Sequence, residues 1–354
     1  LNCAEVEYQY TKLSKSELEV VVTVPIFEFE PYVKKAAVLI SEEIKIGGFR
    51  NGKAPYDIVK NKVGEIAIYE RAADLVVKKT YPEILEKLVA EGQINSDNPP
   101  IGRPEITVTK LAPGNELQYK VKLALLPEVK LPDYKSIAPR MQREKKEVSV
   151  SEEEIAKTLN WIRESRATGK GEERRAPELT DEFAKSLGDF STVDALKSNI
   201  RSGLQSEKEE REKQRLHART IEEIAQNASI EVPDILIRME LEKMVNELQS
   251  GVRGMGMKWE DYLPHIKKTA EDLKKEWRGE AEKRVRIALC LREIAKFEKI
   301  EPTEEEIKER ANQFLNQYKS AKDAEDHIDV DSLQEYTRGI LRNEKVFEFL
   351  EDLA

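Results

Sequence analysis

The sequence predicts an α+β domain at the amino end, followed by an elongated, mostly helical carboxyl domain with projecting arms. Three observations carry this expectation. Alternating strand patterns flank a helical middle within residues 1–126. From Thr180 onward every strong signal is helical. Residues are 36% charged and only 6% aromatic, the balance of long helices with much surface per unit of core.

The elements follow in order. Val6, Tyr8 and Tyr10, then Leu18, Val20, Val22 and Val24, alternate with polar residues and predict a hairpin over 5–24, turning at Leu13 to Ser16. Pro31 is suited to open a helix carrying Val33, Ala36, Ala37, Ile40 and Ile44 on one face. After Gly64 a second helical run carries Ile68, Ala72, Leu75, Val76, Ile84, Leu85 and Leu88. Asn95 to Pro100 reads as a break. Strands then pass through Ile106 and Val108, and through Leu117 to Leu125, around the turn Pro113-Gly114-Asn115.

Leu126 to Lys146 holds three prolines and no sustained period, which predicts an extended linker. Ser151 and Glu154 form a capping box for a short helix with Ile155, Leu159 and Ile162. Gly169 to Pro177 is a short charged connection. A long helix starts at Val193, and its middle, Glu207 to Arg215, is charged on all faces, as expected of a projecting arm. Pro233 starts a helix through Met239 and Met244, both expected in the core. Gly251 to Lys258 reads as flexible, Trp259, Tyr262 and Leu263 as an aromatic-apolar patch, and Ile266 to Ala288 as a very long helix. Thr303 and Glu306 form another capping box before Ile307, Ala311, Phe314 and Tyr318, and Leu333 to Leu350 marks the last helix.

Composition narrows the function. Hydrophobic residues, at 39%, are too many for wholesale disorder. The balance of 59 basic and 68 acidic residues gives −9, so any nucleic-acid contact is expected to be local. Cys3 and Cys290 lie far apart and read as reduced thiols of a cytosolic protein. No apolar run reaches membrane-spanning length, no leader pattern precedes the first strand, and the missing initiator Met suggests a trimmed start. His217, His265 and His327 stand apart and read as solvated or structural rather than as metal ligands. The carboxylates alternate with Lys and Arg at helical spacing, as solvated faces do. Gly251, Gly254 and Gly256 follow no strand, so they do not read as a phosphate loop, and no nucleophile or nucleotide motif or cofactor signature appears.

One stretch points to function: Gly48-Phe49-Arg50-Asn51-Gly52-Lys53-Ala54-Pro55. Glycines and a proline predict an exposed loop between helices. Phe49 between cations suits a surface that meets phosphates with charge and a base or apolar group with a ring. The plain alternative is a glycine turn with solvated charges. The fixed positions Gly48, Phe49, Arg50, Gly52, Lys53 and Pro55 resemble the ribosome-docking signature of the trigger factor family of nascent-chain chaperones. Glu260-Asp261-Tyr262-Leu263, Ala281 to Val285, and Ile300-x-Pro302-Thr303-x-x-Glu306-Ile307 are similar to the same family in its order, so the resemblance covers nearly the whole chain.

The resemblance implies the following. Residues 1–126 would be the ribosome-binding domain, with Gly48, Phe49, Arg50, Gly52 and Lys53 at its docking tip. Residues 127–168 would be linker and short helix, 169–179 the short connection where the family inserts an isomerase domain of the FK506-binding type, and 180–354 the chaperone domain. That connection leaves no room for a half-open sheet that wraps a proline, so the isomerase domain reads as missing and no enzyme activity is expected. The implied partners are the large ribosomal subunit and unfolded or nascent polypeptides, without DNA, membrane or ATP, with a homodimer off the ribosome open. The implied location is the cytoplasm. Met255 and Met257, as adaptable thioethers in a glycine loop, and Trp259, Tyr262 and Leu263 are candidate polypeptide contacts, with Trp161, Phe314 and Tyr318 as weaker ones. A prolyl isomerase and a periplasmic holdase of related helical architecture are the competing readings.

Overall fold

A computed structural model describes residues 6–168, 176–315 and 329–353. The described chain divides into two compact units, Leu1–Lys130 with Ser229–Arg286, and Leu131–Ala228 with Ile287–Ala354.

The first unit begins with an antiparallel sheet in the order β1-β2-β4-β3, formed by β1 (Glu7–Leu13), β2 (Glu17–Val24), β3 (Pro100–Lys110) and β4 (Leu117–Leu125). The alternation read from the sequence sets the register: Leu18 faces Leu123, Val20 faces Val121 and Val22 faces Tyr119, all on one buried side. The opposite side is polar, and its diagonal pairs Glu19–Lys120 and Glu17–Lys122 lie at 3.1 and 2.8 Å. Two helices, α1 (Ile26–Glu43) and α3 (Glu65–Ala90), cover the apolar side. Phe29 meets Tyr69 edge-on at 5.7 Å, and the buried Tyr119 hydroxyl is satisfied by Thr80. A short helix, α2 (Tyr56–Val63), joins them and anchors through the fully buried Val59.

Helix α1 starts earlier than expected. Pro25 is its N-cap and Pro31 lies inside the helix with its ring exposed, so the burial of Phe29 outweighs the backbone hydrogen bond that Pro31 cannot make.

The remainder of the first unit contains β5 (Val129–Lys130), paired with β6 (Ser229–Ile230), then α8 (Asp234–Gly254), α9 (Trp259–His265) and the start of α10 (Ala270–Glu298). The β1–β2 turn reaches α8: Lys15 lies 3.1 Å from Asp234, which Arg278 also meets at 2.6 Å, and these two cations hold the Asp234 carboxyl below its usual range. Helix α8 continues through Gly251 and Gly254, which the sequence reading placed in a flexible loop. The long helix begins only at Ala270, where Thr269 and Asp272 cap each other, because Lys267 adopts φ 55° after α9. Met239 is 56% exposed, against the expectation of a core position, whereas Met244 is buried; the two are five residues apart and fall on different faces.

The second unit is built from α4 (Tyr134–Gln142), α5 (Glu152–Ser165), α6 (Asp181–Leu187), α7 (Val193–Asn227), the end of α10, α11 (Glu304–Leu315) and α12 (Val330–Asp352). Helix α4 replaces part of the expected extended linker. Asp133 caps it, and Tyr134, Ala138 and Met141 supply a buried stripe that Pro139 does not break. Both predicted capping boxes form, at Ser151–Glu154 and Thr303–Glu306. Ile155, Leu159, Ala184, Leu196 and Ile200 make one core where α5, α6 and α7 meet.

The charged middle of α7 is not solvated on every face. Glu212 is buried, accepting the Lys146 backbone N–H at 2.7 Å and Arg215 Nε at 2.7 Å. Those hydrogen bonds, Arg215 first, pull its carboxyl down to about 2. Residues 144–149 therefore lie along this part of α7, beside a cleft of about 810 Å³ lined by Lys146, Glu209, Lys213 and Glu351.

Candidate functional site

The loop between α1 and α2 is made of two successive turns of one design. Phe49 N–H donates to Ile46 O at 3.2 Å, and Lys53 N–H donates to Arg50 O at 2.9 Å. The third residue of each turn is a glycine with positive φ, Gly48 at 85° and Gly52 at 78°. Such turns need φ > 0 at that place, which glycine adopts without steric cost. Ile46 is buried and fixes the start of the first turn, and Gly52 N–H donates to Ser41 O at 3.0 Å, so the second turn closes on the end of α1. That bond satisfies one of the last carbonyls of the helix, and Asn51 Nδ2 reaches another, Glu42 O, at 3.5 Å.

The turns dictate the display. Phe49 ends the first turn and Arg50 opens the second, while the ends of a turn lie within about 7 Å of each other, which brings Arg50 beside Lys53. Phe49 is 41% exposed, and Arg50 and Lys53 are exposed. Among the described residues no carboxylate pairs with Lys45, Arg50 or Lys53. This sets the loop apart from its surroundings, where Lys60 pairs with Glu65 at 2.7 Å and Arg71 with Glu43 at 2.6 Å. The structure thus brings together every residue that the sequence singled out here. It adds Lys45, a third unpaired cation, and Ser41 and Glu42, which frame the turn and carry no local sequence signal.

The other candidates are dispersed. Met255 and Met257 are 75% and 43% exposed in the turn after α8. Trp259 stacks on Tyr262 at 5.9 Å, and both, like Leu263, are half-buried. Trp161, on α5, is 70% exposed, more than its helical spacing suggested. Phe314 is half-buried against Tyr336, and Tyr318 and His327 lie outside the described residues. Sequence reasoning missed Phe297, 69% exposed near the end of α10. Among the described residues no group of three or more His, Cys, Asp or Glu is placed to hold a metal ion, and no helix is long and apolar enough to cross a membrane. His217 instead stacks on Phe347 at 4.6 Å and shares Glu351 with Lys213. Cys290 is buried.

Comparisons with known proteins agree across both ends of the chain. The family model described as bacterial trigger factor protein matches residues 6–162, and that of the trigger factor C-terminus matches residues 192–352. Trigger factor of Clostridium kluyveri is 26% identical over 431 aligned positions, covering 96% of this chain and 97% of its own length. Trigger factor of Caldicellulosiruptor bescii is 26% identical over 436 positions, covering 98% of this chain and 97% of its own. These alignments are longer than this chain of 354 residues, so both relatives carry residues that it lacks. A solved trigger factor chaperone structure, described under promiscuous substrate recognition in folding and assembly, superposes with a TM-score of 0.55 at 16% identity. It covers 97% of this chain and 99% of its own, and at that identity the likeness is one of fold. With an α+β region leading into helices and both family models matched in order, the chain belongs to the trigger factor family.

Proposed function

We propose that this chain is an ATP-independent chaperone that docks beside the polypeptide exit of the large ribosomal subunit through Phe49, Arg50 and Lys53. There it binds emerging polypeptides, delays their misfolding and assists folding or export. The observation that carries the reading is the tip itself: an exposed aromatic between cations that spend no charge on the protein, on turns fixed to α1. The cytoplasm is the location this function requires. The domain limits at 126, 168 and 179 belong to the same reading.

Met255, Met257, Trp161 and the Trp259–Tyr262 pair are the proposed polypeptide contacts, because isolated apolar groups set among charges hold many sequences weakly and reversibly. A solved relative is described as recognising substrates promiscuously, and the same habit is proposed here. We propose no isomerase activity, since residues 169–179 are too few to form a domain that encloses a prolyl side chain. A protease-free assay on an X-Pro peptide should give no rate above background.

Co-sedimentation with large ribosomal subunits tests the docking. The Arg50→Glu, Lys53→Glu double variant should lose it while keeping the wild-type unfolding midpoint. Co-sedimentation equal to wild type removes the docking role.

A further inference from the structure

We propose that Glu42 sets the specificity of the tip by weakening its hold on bare phosphate arrays; this rests on the docking reading above. Residues 44–55 contain no Asp or Glu, yet one carboxylate enters their space. A Cβ placed on Gly52 would stand 2.8 Å from Glu42 Cγ and 2.9 Å from its Oε1. The Glu42 side chain therefore lies against the bare α-carbon of Gly52, the third residue of the turn whose ends are Arg50 and Lys53.

Its charge is not consumed there. Among the described residues no cation lies within ion-pair distance of Glu42, whereas the adjacent Glu43 is held by Arg71 at 2.6 Å. A glycine at position 52 leaves the room that Glu42 occupies, and helix α1 delivers the side chain to it.

The consequence is electrostatic. Arg50, Lys53 and Lys45 attract any phosphate array, which by itself gives sequence-independent binding to all exposed RNA. Glu42 subtracts from that attraction at short range. One like charge about 6 Å from a phosphate in water changes a dissociation constant about threefold. A partner that offers phosphates alone meets this repulsion in full. A surface that combines RNA with protein can set an N–H or a cation against Glu42 and escape it. Glu42 thus tilts the tip away from free RNA and toward a mixed protein–RNA surface.

The test compares dissociation constants for two probes, a labelled 12-nucleotide RNA of mixed sequence and vacant large ribosomal subunits, at about 100 mM salt, where charges screen over about 10 Å. Glu42→Gln keeps the shape and Glu42→Ala empties the space over Gly52. With that screening both should bind the RNA about twofold tighter, with a smaller gain on subunits. Glu30→Gln makes the same change in net charge about 18 Å away along α1 and should change neither. RNA binding by Glu42→Gln that equals wild type (absence of binding by both included) or is weaker overturns the proposal. So does an equal gain on both probes. The docking reading fails separately, when the Arg50→Glu, Lys53→Glu variant keeps wild-type affinity for subunits; the RNA comparison still reports on Glu42 in that case.

Discussion

Replacing Gly52 by alanine tests whether the geometry of the tip, and not merely its composition, makes it a docking element. Gly52 sits at φ 78°, where an L-residue costs about 1–2 kcal/mol. The new methyl would also come within 2.8 Å of Glu42 Cγ, but that side chain is exposed and can swing aside, so the backbone strain dominates. A penalty of that size shifts the ratio of formed to unformed turn about five- to thirtyfold. Affinity for large subunits should fall by up to the same factor if docking requires the turn. Three variants calibrate the result. Gly48→Ala meets open space at φ 85° and should lose about as much through strain alone. Gly47→Ala also meets open space, at no positive φ, and should bind like wild type. Gly52→Asn should recover part of the loss, because asparagine tolerates the left-handed region. The assay is subunit binding by anisotropy of a labelled protein, with unfolding midpoints as the control. The reasoning is refuted if Gly52→Ala and Gly48→Ala bind as well as Gly47→Ala while all three remain folded.

Acid should weaken the second unit in a defined window. Glu212 and Glu154 are depressed to about 2, by Arg215 and by Lys208 respectively before the backbone N–H bonds, so the stability they add is complete above about 4.5 and lost as pH falls toward about 2. Urea midpoints should drop across that window, and less steeply in Glu212→Gln; an identical slope in the variant contradicts the assignment. Ile68→Ala removes a fully buried side chain beneath the sheet and should cost about 2–5 kcal/mol, whereas Ile66→Ala, 67% exposed, should stay within about 0.5 kcal/mol in the same titration. Trp161→Ala should leave the unfolding midpoint unchanged and weaken suppression of aggregation of an unfolded polypeptide; unchanged suppression removes Trp161 from the contacts.

Where the fold was legible, the cause was periodic and local. Alternation in β2 and β4 states which residues face the helices, and the same residues set the register. The loop at 48–55 was legible as a loop because glycine and proline punctuate helices, whereas its division into turns at 46–49 and 50–53 came only with the structure. Proline misled twice: Pro31 and Pro139 each sit inside a helix whose buried stripe outweighs the missing hydrogen bond. The middle of α7 was misread because Glu212 is covered by Lys146, far away in sequence, and no periodicity within α7 reports that cover. The approach of Glu42 to Gly52 was hidden for the same reason: it depends on where the loop returns along the helix. Met239 shows the limit of composition, since a methionine at helical spacing can lie on either face.

The two-part make-up of the second unit has a consequence for the order of synthesis. The sheet and the helices that cover it are complete once residue 125 has been made. The second unit also needs chain from its far end, since Glu351 of α12 engages Lys213 and His217 of α7. Its core therefore stays open until α12 has been made, and a chain stopped short of α12 leaves the ribosome with the sheet intact and part of the helical bundle unclosed. Such a premature product is one that quality-control proteases should cut in the second unit first.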